Sequence, residues 1–170
     1  VLTIGTAGFV LPFVVLACGN PSRGDDAIGP MLLARLEVWL DEAGLADAFE
    51  LIEDFQFQIE HALDLKDRRS ALFIDAGERT PAPFTLCPVD ADAPPSHSTH
   101  AISPAAVLAV YHRVVKAPAP TCDVLCVRGE GFELGDGLSP AAAARAEAAW
   151  PALQSWCREA VRAGTENEKA

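Results

Sequence analysis

Short apolar runs rich in branched and aromatic residues alternate with amphipathic stretches along this chain. Apolar runs of about four to eight residues are typical of strands that are buried on both faces. Strands that alternate with helices predict a mostly parallel sheet with helices packed on both faces. The predicted strands are Phe13–Cys18, Ala48–Glu53, Ala71–Ala76, Phe84–Val89 and Asp123–Val127.

Apolar positions at helical spacing predict helices between and after these strands. Two of the helices begin with a Ser-Pro pair, which combines a capping hydroxyl with a proline at the first helical position. Pro151 lies inside the last helix and is expected to kink or split it. The predicted helices run from Ile28 to about Gly44, from Ile59 to Lys66, from Ser103-Pro104 onward and from Ser139-Pro140 onward.

The length of 170 residues, half of them apolar, suits a single domain with one core. We expect residues 1–164 to form a three-layer α/β/α domain, with a twisted and mostly parallel sheet of about five strands flanked by helices. The polar residues 165–170 are expected to be a disordered tail. No apolar stretch is long enough to span a bilayer, so we expect no membrane association.

Charge and cysteine content exclude several function classes. The formal net charge of −11 argues against nucleic acid and anionic membranes as partners, because both require basic surfaces. The five cysteines form no CxxC pair, which argues against a zinc knuckle. Free cysteine is a common core residue, and these cysteines predict a protein of the reducing cytoplasm.

The segment after the first predicted strand places two adjacent carboxylates, Asp25 and Asp26, near the start of a helix. A phosphate-binding loop would have Lys and Ser or Thr at the corresponding positions. Two negative charges would repel a nucleotide, so the loop suits a metal cation or a proton-transfer role. Ligands of open α/β sheets bind beyond the carboxyl ends of the strands, where this loop is expected to lie.

Two further polar residues are expected at the same edge of the sheet. Asp75 ends the third predicted strand, and His100 precedes the Ser103-Pro104 helix start. Together with Asp26 they would offer two carboxylates and an imidazole, which suit zinc, nickel or manganese. Each also has a structural explanation: Asp26 can cap the first helix, Asp75 can cap a turn, and His100 can be a solvated loop residue.

The sequence has neither a GxSxG nor an HExxH motif, so common hydrolase signatures are absent. Glu60 and Asp64 are one helical turn apart, which is typical of a solvated face, and His61 is expected at the surface with them. Gln56 lies in an irregular segment that can line a cleft. The predicted substrate contacts are Asn20, Asp25, Gln56, Glu60 and His61.

Three motifs in this order resemble the hydrogenase maturation endopeptidases: GNPSRGDDAIGP after an apolar strand, IDA at the end of a later strand, and THAISPAAVL. The resemblance covers roughly Phe13 to Leu153. The segments FQFQIEHALDL and GEGFELGDGLSP are similar to the branch that serves cytosolic NAD-reducing or bidirectional hydrogenases.

The resemblance implies an endopeptidase that trims the C-terminal extension of a [NiFe] hydrogenase large-subunit precursor after nickel insertion. It implies that Asp26, Asp75 and His100 bind the nickel that the precursor carries, and that Zn or Cd can occupy this site in vitro. Many members have Glu where this chain has Asp26, a side chain one methylene shorter. The expected partner is the precursor, and the expected state is a monomer.

The attacking group is left open by the sequence, although we expect metal-assisted attack by water with one aspartate as base. Two other functions use the same residues. A non-catalytic metal-binding chaperone would hold the immature subunit without cutting it. A small-molecule α/β hydrolase or nucleotide binder is the third possibility, and the Asp25-Asp26 pair argues against the nucleotide.

Overall fold

The computed structural model of this protein describes residues 10–91 and 102–167. The strands are β1 (Phe13–Cys18), β2 (Phe49–Asp54), β3 (Ser70–Gly77), β4 (Phe84–Pro88) and β5 (Thr121–Arg128). They form one sheet in the order β2-β1-β3-β5-β4. The first three neighbouring pairs are parallel, and β4 runs antiparallel to β5 at one edge. The predicted α/β class and mostly parallel sheet are confirmed.

Four α-helices connect or follow the strands: α1 (Ile28–Glu42), α2 (His61–Asp64), α3 (Pro104–Val114) and α4 (Pro140–Asn167). Short 3₁₀ turns precede α1 and β2, at Gly24–Ala27 and Ala46–Ala48. Both Ser-Pro predictions are confirmed, because Ser103 Oγ accepts a hydrogen bond from the Ala106 N–H at 3.2 Å and Ser139 Oγ accepts one from the Ala142 N–H at 3.1 Å. These bonds satisfy N–H groups that the first helical turn leaves free.

The core has two parts, one on each face of the sheet. Helices α1 and α4 cover one face, and α2 and α3 cover the other. Every residue of β1 is buried, since this strand lies between β2 and β3, and its sequence is therefore an unbroken apolar run. Gly29 allows α1 to approach β1 closely, because a Cβ there would lie 2.1 Å from the Cys18 carbonyl oxygen.

Two predictions about the last helix need correction or adjustment. The prediction that Pro151 could split the last helix is wrong, because α4 is one continuous helix with this proline inside it. Pro151 is exposed, and so is Glu147, whose carbonyl loses its helical hydrogen bond and can bind water instead. The helix continues to Asn167, so residues 165–167 of the predicted tail are helical. Within the described residues, no helix has both the length and the apolar character needed to cross a membrane.

Candidate active site

A row of polar residues crosses the sheet at the carboxyl ends of the parallel strands. Cys18 of β1 is in register with Asp54 of β2, and Asp75 of β3 is in register with Cys126 of β5. The Cys18 thiol donates to Asp75 Oδ1 at 3.4 Å, which joins the two pairs. Alternation along the strands places these four side chains on the face covered by α2 and α3.

Asp75 lies in the middle of this row and is half-buried. Burial raises its pKa above the ordinary value, and the negative charge of Asp26 raises it further. Hydrogen bonds from the Ala76 N–H at 2.8 Å and from the Cys18 thiol act in the opposite direction without cancelling the shift. Asp75 therefore keeps its proton to a higher pH than an exposed aspartate, as suits a proton-transfer group.

The two thiols beside Asp75 are poor nucleophiles. Burial raises the pKa of the Cys18 thiol above its ordinary value, and the negative charge of Asp75 raises this pKa further. Burial also raises the pKa of Cys126 to about 11, although its contact with Thr80 Oγ1 at 2.9 Å lowers it. Both cysteines are thus neutral thiols near neutral pH, which argues against a cysteine-protease mechanism. All five cysteines lie in the described residues and are free.

Asp26 reaches the site from the loop after β1. Gly19 has a φ of +148°, and a Cβ on it would lie 1.9 Å from the Asp26 carbonyl oxygen, so the turn requires glycine. The Asn20 N–H donates to Asp26 Oδ2 at 2.8 Å and orients the carboxylate. Asn20 itself is half-buried, and its Oδ1 accepts a hydrogen bond from the Ser22 N–H. The structure thus brings Asp26 and Asp75 close enough to interact electrostatically.

Asp25 has a different environment from its neighbour Asp26. It is 0% exposed, and its carboxylate accepts hydrogen bonds from the N–H groups of Glu130, Gly131 and Ser139 and from the Ser139 hydroxyl, at 2.8 to 3.1 Å. Burial alone would raise the pKa of Asp25, but these hydrogen bonds outweigh it and hold the pKa below its ordinary value. Asp25 joins the loop that carries Asp26 to the loop before α4.

Further hydrogen bonds join the same two loops, residues 19–27 and 129–139. Most are between backbone groups, which fixes the path of the chain regardless of the side chains present. Sequence reasoning used the second loop only as a sign of a family branch and missed this role. The bonds run from Asp25 N to Gly131 O, from Gly24 N to Asp136 O, from Gly135 N to Ser22 O and from Arg23 Nε to Phe132 O.

His61 is buried, so the expectation that it lies at the surface is wrong. Its Nδ1 accepts a hydrogen bond from the Gln58 N–H at 3.0 Å, and its Nε2 lies 3.6 Å from Asp54 Oδ2. The imidazole thereby fixes the turn that leads into α2, and this compensates for its burial. Gln56 and Glu60 are exposed on either side of it. Their predicted substrate contacts stay predictions.

His100 lies outside the described residues, as does its neighbour His97. The residues that flank this segment, Ala91 and Ile102, both pack against the apolar cluster beneath α2 and α3. Within residues 10–91 and 102–167, no group of three or more His, Cys, Asp or Glu side chains is arranged to hold a metal ion. The predicted metal trio includes His100 and stays a prediction.

Solved structures match this chain over most of its length. The hydrogenase maturating endopeptidase HybD from E. coli is 23% identical, with a TM-score of 0.65 over 88% of this chain and 93% of that one. A solution structure of an endopeptidase from Escherichia coli is 25% identical, with a TM-score of 0.66 over 88% of this chain and 93% of that one. This chain has the fold of the hydrogenase maturation endopeptidases.

A third structure of this fold is the [NiFe] hydrogenase maturation protease HycI from Thermococcus kodakarensis KOD1. It is 18% identical and has a TM-score of 0.64 over 89% of this chain and 95% of that one. The sequence matches no family model and no curated protein. The likeness that three motifs indicated is thus confirmed in three dimensions, while the branch within these proteases stays a prediction.

Proposed function

We propose that this protein is an endopeptidase that removes the C-terminal extension of a [NiFe] hydrogenase large-subunit precursor after nickel has been inserted. The observation that carries the proposal is that Asp26, in the loop after β1, and Asp75, at the end of β3, lie at the same carboxyl edge of the sheet within electrostatic reach of each other. It occurs in a chain that shares its fold with proteins named as hydrogenase maturation proteases. The loop after β1 has Asp25 and Asp26 where a phosphate-binding loop has Lys and Ser or Thr, which argues against a nucleotide ligand.

Nickel carried by the precursor would be recognised by Asp26, Asp75 and His100. Oxygen and imidazole ligands complete the coordination shell of such an ion, so the binding energy makes docking depend on prior metal loading. Neither Asp26 nor Asp75 forms an ion pair within the described residues, which leaves their charges available to a cation. Zn or Cd would bind the same ligands in vitro.

Asp75 is the better candidate for the general base of the two carboxylates. It lies in the middle of the polar row, and it can accept a proton when it contacts the attacking water instead of coordinating nickel. A water molecule beside the precursor's nickel would lose a proton to Asp75 and attack the scissile carbonyl, and the same proton would then pass to the leaving nitrogen as the C–N bond breaks. The neutral thiols of Cys18 and Cys126 take no part as nucleophiles.

The expected setting of this reaction is the cytoplasm. Five free cysteines in a chain of this size are ordinary for a reducing compartment. We propose that the protein acts as a monomer, because its partner during catalysis is the precursor itself.

The decisive experiment compares a nickel-loaded precursor with the same precursor before nickel insertion. We expect intact-mass measurements to show loss of the C-terminal extension only from the nickel-loaded form. A stable complex without loss of mass would instead indicate the metal-binding chaperone. Equal trimming of both forms would overturn the nickel requirement, and no reaction with any large-subunit precursor would overturn the proposed activity.

A further inference from the structure

Residues 55–64, which join β2 to α2 and include that helix, expose large apolar side chains and bury a polar one. Phe55, Ile59 and Leu63 are 69%, 50% and 61% exposed, whereas His61 is only 8% exposed. The sequence analysis predicts a helix from Ile59 to Lys66, and the apolar residues of such a helix ordinarily face the core. This reversal of the usual amphipathic order calls for a physical explanation.

The inner side of the segment is already complete without the exposed residues. Phe57 packs edge-to-face on Phe73, with 5.2 Å between ring centroids, and Ala62 and Leu65 are buried in the same cluster. His61 Nδ1 is satisfied by the Gln58 N–H. Phe55, Ile59 and Leu63 therefore add little to the stability of the isolated fold. Clusters of exposed apolar side chains on a folded protein mark sites of protein contact.

The exposed cluster directly adjoins the candidate active site. Asp54 ends β2 in register with Cys18, and its carbonyl accepts a hydrogen bond from the Gly19 N–H at 3.1 Å, in the loop that carries Asp26. The next residue, Phe55, donates its N–H to the Asp54 carboxylate at 2.6 Å. Gln58 Nε2 donates to the same carboxylate at 3.1 Å. These bonds hold the cluster at the edge of the site.

The charges around the cluster indicate what can bind there. Glu60 is exposed within it and Asp54 lies at its base, while the exposed Lys66 follows Leu63 by three residues, so acidic groups outnumber basic ones around the cluster. The whole chain has a formal net charge of −11. An apolar centre with an acidic border is complementary to a polypeptide segment that has apolar side chains with Lys or Arg on either side.

We propose that Phe55, Ile59 and Leu63 form an apolar docking surface for such a segment of the hydrogenase large-subunit precursor, an inference that rests on the proposed function. A segment seated on this surface enters the site from the β2 side. The docking surface then determines which part of the precursor reaches Asp26 and Asp75. The residues that select the partner are therefore different from the residues that cleave it.

The test uses Phe55→Ser, Ile59→Ser and Leu63→Ser, singly and combined, with the nickel-loaded precursor. We expect each single substitution to raise KM for trimming by roughly tenfold and the combination to raise it by roughly 100-fold or more, with kcat nearly unchanged. Higher salt should raise the KM of the unaltered protein, because the acidic border then attracts the precursor less. Val38→Ser and Val114→Ser are matched controls, because these side chains are 59% and 63% exposed on other helices.

Binding of the precursor, measured by biolayer interferometry, separates the two proposals. Tight binding that the triple variant loses, without any trimming, supports the docking surface and overturns the peptidase. Trimming by the triple variant with an unchanged KM overturns the docking surface and leaves the peptidase intact. Absence of both binding and trimming overturns both. If sedimentation shows a dimer that the triple variant abolishes, the surface joins two copies of this chain and the proposal is wrong.

Discussion

Asp25 and Asp75 are both withdrawn from water, and their surroundings shift their pKa values in opposite directions. Asp25 accepts hydrogen bonds from three N–H groups and one hydroxyl, which stabilise its charge and lower its pKa despite burial. Burial and the charge of Asp26 raise the pKa of Asp75, and its two hydrogen bonds do not compensate. A fully hydrogen-bonded carboxylate supports structure, whereas an incompletely stabilised one is ready to bind a cation or a proton.

The largest effect is expected on activity, when one of the two carboxylates of the candidate site is neutralised. Asp75→Asn and Asp26→Asn should each slow trimming of nickel-loaded precursor by about 1,000-fold, because each removes a charge that would bind the metal or transfer a proton. Time courses read by intact mass measure the rate. Asp41→Asn, at an exposed position near the end of α1, is the matched control and should trim normally. Normal trimming by both site variants would show that the carboxylates are not part of the machinery.

A large effect on stability is expected from Asp25→Ala. The substitution leaves three N–H groups and a hydroxyl without their acceptor, so the free energy of unfolding should fall by about 3 kcal/mol near pH 7. Urea unfolding measures this change. Because the pKa of Asp25 is lowered on folding, its stabilisation is present above the unfolded-state pKa and is lost as pH falls through the folded-state pKa.

The free energies of unfolding of the unaltered protein and of Asp25→Ala should therefore become more alike as the pH is lowered. A difference that stays constant from pH 7 to pH 3 would contradict the ionised state of Asp25 in the fold.

A smaller effect of the opposite sign is expected from Asp75→Asn. The pKa of Asp75 is raised on folding. Ionisation of Asp75 therefore opposes folding, and this cost grows as pH rises from the unfolded-state pKa to the folded-state pKa. Asp75→Asn removes that charge and should stabilise the protein at pH 7 by about 1 kcal/mol. The gain should vanish below pH 3.8, the ordinary value, because both states are then protonated.

Thermal unfolding at several pH values measures this effect. If Asp75→Asn is less stable than the unaltered protein at pH 7, the Asp75 carboxylate stabilises the fold as Asp25 does, and the prediction is wrong.

Local patterns made most of the fold predictable. A few neighbouring residues are enough to predict the buried strand β1, from its unbroken apolar run, and the starts of α3 and α4, from their Ser-Pro pairs. The structure confirms these predictions. The meeting of Asp26 and Asp75 followed from strand topology, since parallel strands end at one edge of the sheet. Cys18 could have been recognised by counting alternate positions along β1, which puts it on the same face as Leu16.

The remainder depends on contacts between distant parts of the chain. Asp25 and Asp26 are chemically identical neighbours, and only the loop more than a hundred residues later distinguishes them. His61 was wrongly expected at the surface, and Ile59 and Leu63 are exposed although helical periodicity assumes that apolar residues face inward. That assumption fails where the inner side is completed by other residues, here Phe57 and a hydrogen-bonded imidazole.

Ser139 holds Asp25 and also caps α4, so one residue links the loop that carries Asp25 and Asp26 to the last helix. The partners of Asp25 lie 105 to 114 positions further along the chain. During synthesis, strands β1 to β3 are therefore complete well before the ribosome has made the residues that fix Asp26 beside Asp75. We expect a newly made chain to gain its two-carboxylate site late, so that products of early termination lack the hydrogen bonds that hold Asp25 in the finished protein.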